Sequence, residues 1–330
     1  MTELAWRFVF RVLSPPGARA RLSILILHRV LPTADPLFPD LPDAAEFERR
    51  MRWVASWFEV LPLPEAVARL RRGGLPARAM AITFDDGYAD NATVAAPILK
   101  RLGLTATFFV TSGVLGGGRM WNDTVIEAVR MARGERLDFS DLGLGSYALD
   151  GPAARRVAID AILTAVKRRP YEERAALVAA IADRVGEQLP TDLMMSADQV
   201  RQLCVLGMAV GAHTVNHPIL RRLDDSAALR EIAASRDDLQ QITGQPVTLF
   251  AYPNGVPMVD FDERHVRMVR HCGFEAAFTT AWGVATRASD PFQLPRFTPW
   301  DNTRNRYALR LVRNLVRPNT LAPRDDFAVH

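Results

Sequence analysis

AMAITFDDG, residues 79–87, decides how this chain folds. Its first six positions are apolar or β-branched, and two carboxylates and a glycine follow at once. A strand buried on both faces reads as such a continuous run, and that is the signature of a parallel sheet. Asp85 and Asp86 then stand where the strand ends. In a regular strand their side chains would point to opposite faces. Where the chain turns, both can reach one pocket.

Moving outward, similar runs recur at 22–27 (LSILIL), 105–110 (TATFFV), 208–212 (MAVGA), 247–251 (VTLFA), 276–280 (AAFTT) and 293–297 (QLPRF). Helical patterns separate most of them, at 44–58, 63–74, 91–102, 196–207, 226–244 and 262–273. Ser196 opens one as a good N-cap, and Gly207, Gly244 and Gly273 end three of them. Alternating strands and helices predict an α/β fold built on a parallel sheet or barrel. Residues 119–195 break the rhythm. They hold no convincing strand, and 153–169 and 171–186 read as helices. The expected organisation is an N-terminal helix or arm (1–20), a barrel (21–118 and 196–310), a mostly helical insertion over the active face (119–195) and a C-terminal tail (311–330).

Composition narrows the function. In 330 residues, 48% are hydrophobic and 24% charged, enough for one sizeable core in a soluble chain. The formal net charge of +4 comes mainly from scattered arginines. No lysine block or base-reading motif accompanies it, so nucleic acid is not the expected partner. Anionic lipid or an anionic sugar carrier suits the charge as well. Cys204 and Cys272 are far apart and outside any CxxC, which predicts two reduced thiols. No transmembrane helix or export signal is expected. Residues 1–17 read as a short amphipathic helix, with Trp6, Phe10 and Leu13 near one face. It either docks on the domain or lies on a membrane surface.

Two constellations carry chemistry. One is Asp85-Asp86-Gly87. The other is His213-Thr214-Val215-Asn216-His217, directly after the run 208–212. Histidines four apart share a face if the chain is helical there, and neutral imidazoles suit zinc and its neighbours. Taken alone, each motif also fits a plain role, a solvated turn or two satisfied histidines. Together they mark strand ends of one sheet, and this pentapeptide holds two of the chain's six histidines.

TFDDG and HTVNH resemble the first two motifs of the polysaccharide deacetylases of carbohydrate esterase family 4, which share the NodB-homology domain. The resemblance covers roughly residues 20–112 and 196–300. It implies a distorted (β/α)7 barrel-like fold and a divalent metal, by default Zn2+, with Co2+, Ni2+ or Mn2+ as alternatives. Asp86, His213 and His217 would be ligands, and Asp85 the general base. The family's third motif has an arginine where this chain has Ala251, in Ala251-Tyr252-Pro253-Asn254-Gly255. Arg296 is the substitute expected to orient the base. The Asn254 N–H would help hold an oxyanion, with Tyr252 beside it. No late LxxH motif appears, so His28, at the end of the first strand run, is the candidate general acid, as in the circularly permuted members. Trp121, Asn122 and Asp123, at the start of the insertion, are candidate sugar contacts, and Trp300 and Asp301 invite the same comparison.

The implied reaction is hydrolysis of an N-acetyl group on a sugar. The alternatives are another C–N hydrolase of the same superfamily, for example one acting on cyclic amides, or a non-catalytic sugar-binding protein. With no export signal, the expected setting is the cytoplasm, at or near the inner membrane face, and the expected substrate an N-acetylated glycan or lipid-linked sugar.

Overall fold

The computed structural model describes residues 1–167, 169–186 and 188–317. Helix α1 (Glu3–Leu13) leads into β1 (Ser23–Leu27), and α2 (Ala44–Trp57), the short β2 (Glu59–Val60) and α3 (Leu63–Arg72) precede β3 (Ala79–Phe84). A π-turn (Asn91–Ala95) runs into α4 (Ala96–Arg101), and β4 (Thr107–Val110) follows. The next block contains α5 (Trp121–Met131), β5 (Arg136–Phe139), β6 (Gly145–Ala148), α6 (Gly151–Lys167) and α7 (Tyr171–Val185). Then come α8 (Ala197–Val205), β7 (Ala209–Ala212), α9 (Asp225–Thr243), β8 (Leu249–Ala251), α10 (Glu263–His271), β9 (Ala276–Phe278) and α11 (Arg304–Val316).

The main sheet runs β1-β3-β4-β7-β8-β9, with β2 also on β3, and every pairing in it is parallel. This is the curled sheet with outer helices that the apolar runs predict. The run 293–297 is not a regular strand. Pro295 has no N–H to give a ladder. Instead Leu294 bridges to Phe278 of β9 and Phe297 to Leu25 of β1. The segment thereby links the two edges of the sheet.

Strand parity sorts side chains between two cores. Leu25, Met80, Ile82, Phe84, Phe108 and Phe250 pack outward under the helices. Ile24, Ala79, Ala81, Phe109, Ala251 and Phe278 belong to the inner cluster, to which α3 contributes Leu63, Val67 and Leu70. Continued one step past the strands, the inward parity reaches Asp85 and His213. Small residues leave the backbones room there. A Cβ on Gly211 would lie 2.5 Å from the Phe109 ring.

Residues 119–195 have a hydrophobic core of their own, with Val125, Phe139, Ile159, Ile162 and Ile181 in it. Both ends of the block return to the turn after β3. Ala89 N–H donates to Leu193 O (2.8 Å), Met195 N–H to Gly87 O (3.0 Å) and Gly116 N–H to Met195 O (2.9 Å). The expectation of no strand here is corrected, because β5 and β6 pair as an antiparallel hairpin. The tail boundary is corrected too. Leu311 and Leu315 are buried in α11, which continues to Val316, and residues 318–330 lie outside the described ones. Helix α1 docks through Trp6 and Phe10, which stack at 6.1 Å and pack on Trp57. Among the described residues no helix is long and apolar enough to cross a membrane.

Candidate active site

The chain turns immediately after β3. Asp85 N–H still donates to Leu27 O (2.9 Å), continuing the pairing with β1. Asp86 then adopts a left-handed φ of 75° and Gly87 one of 90°. Aspartate tolerates that region better than most residues. The turn is what lets adjacent carboxylates serve one pocket. Thr214 (φ 65°), His217 (φ 53°) and Asn254 (φ 58°) are left-handed as well. Backbone strain of this kind concentrates where surrounding structure holds a site in shape.

Asp85 is fully committed to Arg296. Nη1 donates to Oδ1 at 2.6 Å and Nη2 to Oδ2 at 2.7 Å, with both side chains buried. Arg296 also donates through Nε to Thr279 O (3.1 Å) and through Nη1 to Thr83 Oγ1 (3.2 Å), and lies over the Phe109 ring. Burial opposes the charge on Asp85, yet Arg296, with His213, holds its pKa below the ordinary value. Arg296 thus reaches, from the closing segment, the carboxylate that Ala251 cannot touch.

The second motif is not helical, as equal spacing on a helix face would require. It is a turn. His217 N–H donates to Thr214 Oγ1 (3.0 Å). The Val215 and Asn216 N–H groups both donate to Glu231 Oε2 at 2.9 Å, and Asn216 Nδ2 to Glu231 Oε1 at 2.7 Å. Glu231, on α9, is a residue the sequence did not single out. Nothing marks it apart from an ordinary solvent-facing helix acid. The turn brings the two imidazoles edge to face, 4.8 Å between centroids. His213 Nδ1 sits 2.8 Å from Ala251 O, which sets Nδ1 as the protonated nitrogen and turns Nε2 toward Asp86.

Asp86 Oδ1 lies 3.4 Å from Nε2 of His213 and 3.4 Å from Nε2 of His217. It is buried and has no hydrogen-bond partner. An unpaired buried carboxylate oxygen is costly, and a cation removes the cost. Two donors about 2.0–2.2 Å from one ion at a tetrahedral angle stand about 3.4 Å apart. The three ligand atoms lie within 4.8 Å of one another. Donor set and spacing therefore fit a divalent ion. Burial acts against charge on His213, but Asp85 and Asp86 overcome it and raise its pKa. At His217 burial prevails and the pKa falls to about 4. Asp86 stays well below the usual carboxylate range despite burial, held there by the histidines.

The remaining candidates divide. His28 is exposed one residue past β1, its carbonyl accepting from Asn91 Nδ2 (2.7 Å), within electrostatic reach of Asp85, Asp86 and His217. Asn254 is partly buried after β8, its carbonyl accepting from Thr280 Oγ1 (2.7 Å). Among the described residues no acceptor takes its N–H. Asp123 is buried, accepts from Tyr88 Oη at 3.2 Å, and its Oδ2 has no partner. Burial, opposed by Arg29, lifts its pKa to about 7. Two expectations need correction. Tyr252 has outward parity, stacks on Phe261 at 3.8 Å and donates to Phe292 O, so it is a core residue. Trp121 packs on the insertion's core with Arg174 over its ring. Near the closing segment, Trp300 is covered by Arg310, which also pairs with Asp301.

Comparison with known proteins bears on the family and the fold. The family model described as polysaccharide deacetylase matches residues 72–133 and 151–277. The Bacillus subtilis (strain 168) protein YxkH, whose name refers to the same family, is 21% identical over 84% of this chain and 71% of its own length. The Streptococcus pyogenes deacetylase PplD, solved with acetate, superposes with a TM-score of 0.59 at 18% identity, over 90% of this chain and 99% of that one. IcaB from Ammonifex degensii gives 0.56 at 19% identity, over 90% and 97%. The family match spans more than half of the sequence and both motifs, so the chain belongs to the polysaccharide deacetylase family.

Proposed function

We propose that this protein is a divalent-metal-dependent deacetylase that hydrolyses the N-acetyl group of a sugar in a glycan or lipid-linked glycan precursor. The observation that carries the reading is the partnerless, buried Asp86 Oδ1 between two imidazole nitrogens, beside a carboxylate clamped by arginine. Asp86, His213 and His217 would hold the ion, with zinc the best fit to two nitrogens and one oxygen. A bound ion supplies Lewis acidity at the amide carbonyl and acidifies the attacking water.

The chain's own residues supply the rest. Arg296 keeps Asp85 ionised and fixed in orientation, so it accepts a proton as water attacks the carbonyl carbon. The Asn254 N–H donates to the carbonyl oxygen as negative charge grows on it. His28 gives a proton to the sugar nitrogen as the C–N bond breaks. One water is consumed, and acetate and a free amino sugar leave. Asp123, protonated over much of the neutral range, offers a sugar hydroxyl both a donor and an acceptor.

The test is acetate release by zinc-loaded protein from N-acetylglucosamine oligomers and lipid-linked N-acetylated sugars. Wild type should release acetate, and Asp85→Asn should lose about 10²–10⁴-fold in kcat while still binding zinc. Hydrolysis of cyclic amides with no acetate release from any sugar would transfer the site to another C–N chemistry.

A further inference from the structure

We infer that α1 is a membrane-surface anchor, its outward apolar stripe and bordering arginines docking the protein on an anionic lipid bilayer. The inference is independent of the catalytic reading, because it rests on the opposite face of a helix already seated on the domain. Trp6 and Phe10 bury the inner face. On the other side Met1, Leu4, Phe8 and Val12 are 60, 76, 68 and 61% exposed. At 100° per residue Leu4, Phe8 and Val12 fall within an arc of about 80°, and Met1 precedes the helix. Packing against the barrel requires none of them.

A second helix, packed against α1, carries exposed apolar residues of its own. Trp6 Nε1 donates to Asn305 Oδ1 (3.1 Å), which ties α1 to the first turn of α11. Leu309 and Val316 share that side of α11, four and eleven residues on, and are 47 and 55% exposed. Arginine borders both stripes. Arg7 and Arg11 flank Phe8 on α1, and Arg306 and Arg313 lie beside Leu309 on α11, all four exposed. Helix α11 contains no carboxylate, though Asp301 just before it stands 3.6 Å from Arg306, and the one acid of α1, Glu3, is paired with Arg304; among the described residues Arg7, Arg11 and Arg313 carry the patch's free charge.

Charge complementarity selects the occupant. A second copy of the same face would set arginines against arginines, and like-charge repulsion opposes that pairing. An anionic bilayer offers phosphates to the arginines and acyl chains to Leu4 and Phe8, the arrangement of interfacial amphipathic helices. The helix is formed beforehand and capped by Thr2 Oγ1, so binding bears little ordering cost.

The experiment is co-sedimentation of the full-length protein with sucrose-loaded vesicles of phosphatidylcholine alone or mixed with phosphatidylglycerol. Wild type should bind the mixed vesicles and stay in solution with the neutral ones. Arg7→Gln/Arg11→Gln should weaken partitioning about 25-fold, at roughly fivefold per arginine. Leu4→Glu/Phe8→Glu should weaken it at least about tenfold with an unchanged melting temperature, since both residues are exposed. Three results would each overturn the inference: wild type unbound to mixed vesicles, equal binding by Leu4→Glu/Phe8→Glu, or a dimer at sedimentation equilibrium that Phe8→Glu dissociates.

Discussion

Replacing Arg296 by methionine isolates the ion pair at the heart of the site. The substitution keeps the apolar stem near Phe109 and removes the two donors at 2.6 and 2.7 Å from Asp85. It leaves a buried carboxylate with no cation, and breaking such a pair costs about 3–5 kcal/mol. Unfolding entropy for a chain of this length is about 0.7 kcal/mol/K, so the melting temperature should fall by about 4–7 °C. The pH dependence should also change sign. In the wild type the pKa of Asp85 is lowered, so its contribution is present above the ordinary value of 3.8 and fades as pH falls through the folded value. With Arg296 gone, burial raises that pKa, and acidification now protonates and relieves the carboxyl. The acidic limb of kcat/KM should move upward in pH by the same cause. Adding Asp85→Asn to Arg296→Met should recover about 2 kcal/mol relative to additivity. The measurements are thermal unfolding across pH and a kcat/KM–pH profile. A variant within about 1 kcal/mol of wild type, with an unmoved acidic limb, would refute the assignment of Arg296 as the partner that orients the base.

Three further outcomes follow from the geometry. Zinc binding near neutral pH should expel a proton from His213, whose pKa is raised, and none from His217, already neutral above about 4; calorimetry in buffers of different ionisation enthalpy reads this, and apparent affinity should climb with pH by up to about tenfold per unit. Asp123→Asn keeps the contact with Tyr88 but loses the acid, so KM for the sugar should rise several-fold while kcat holds within about twofold; unchanged KM would make Asp123 purely structural. Gly211→Ala should cost about 1–3 kcal/mol, because its Cβ would meet the Phe109 ring at 2.5 Å, and an unaltered melting temperature would contradict that packing.

What the sequence made legible was whatever repeats along the chain. Buried parallel strands are continuous apolar runs, and Ala79–Phe84 was readable to the residue. The β5–β6 hairpin was not. Arg136–Phe139 alternates exposed and buried over four residues only, too short for period to emerge against the helices around it. The position of Tyr252 was hidden for a different reason. One residue past β8, parity alone decides between cleft and core, and its ring went to Phe261. Asp86, His213 and His217 were readable as a set because turn and ligand types coincide in short motifs. Glu231 was invisible, since it acts through two backbone N–H groups of a distant loop. Arg296 stood between these cases. Its residue type was marked by the arginine missing at Ala251, but only three-dimensional closure could bring it to Asp85.

That closure has a consequence in time. Arg296 stands 211 residues after Asp85 and rides on the segment that joins β9 to β1. During synthesis Asp86, His213 and His217 have all been made by residue 217, yet the arginine that clamps the carboxylate at 85 comes only with residue 296. Burying an unpaired anion is costly, so the barrel gains by closing its interior only once that seam is drawn shut. A late segment thus works as a latch: the clamp on Asp85 is complete only when residues 293–297 join the two edges of the sheet, with α11 still to follow.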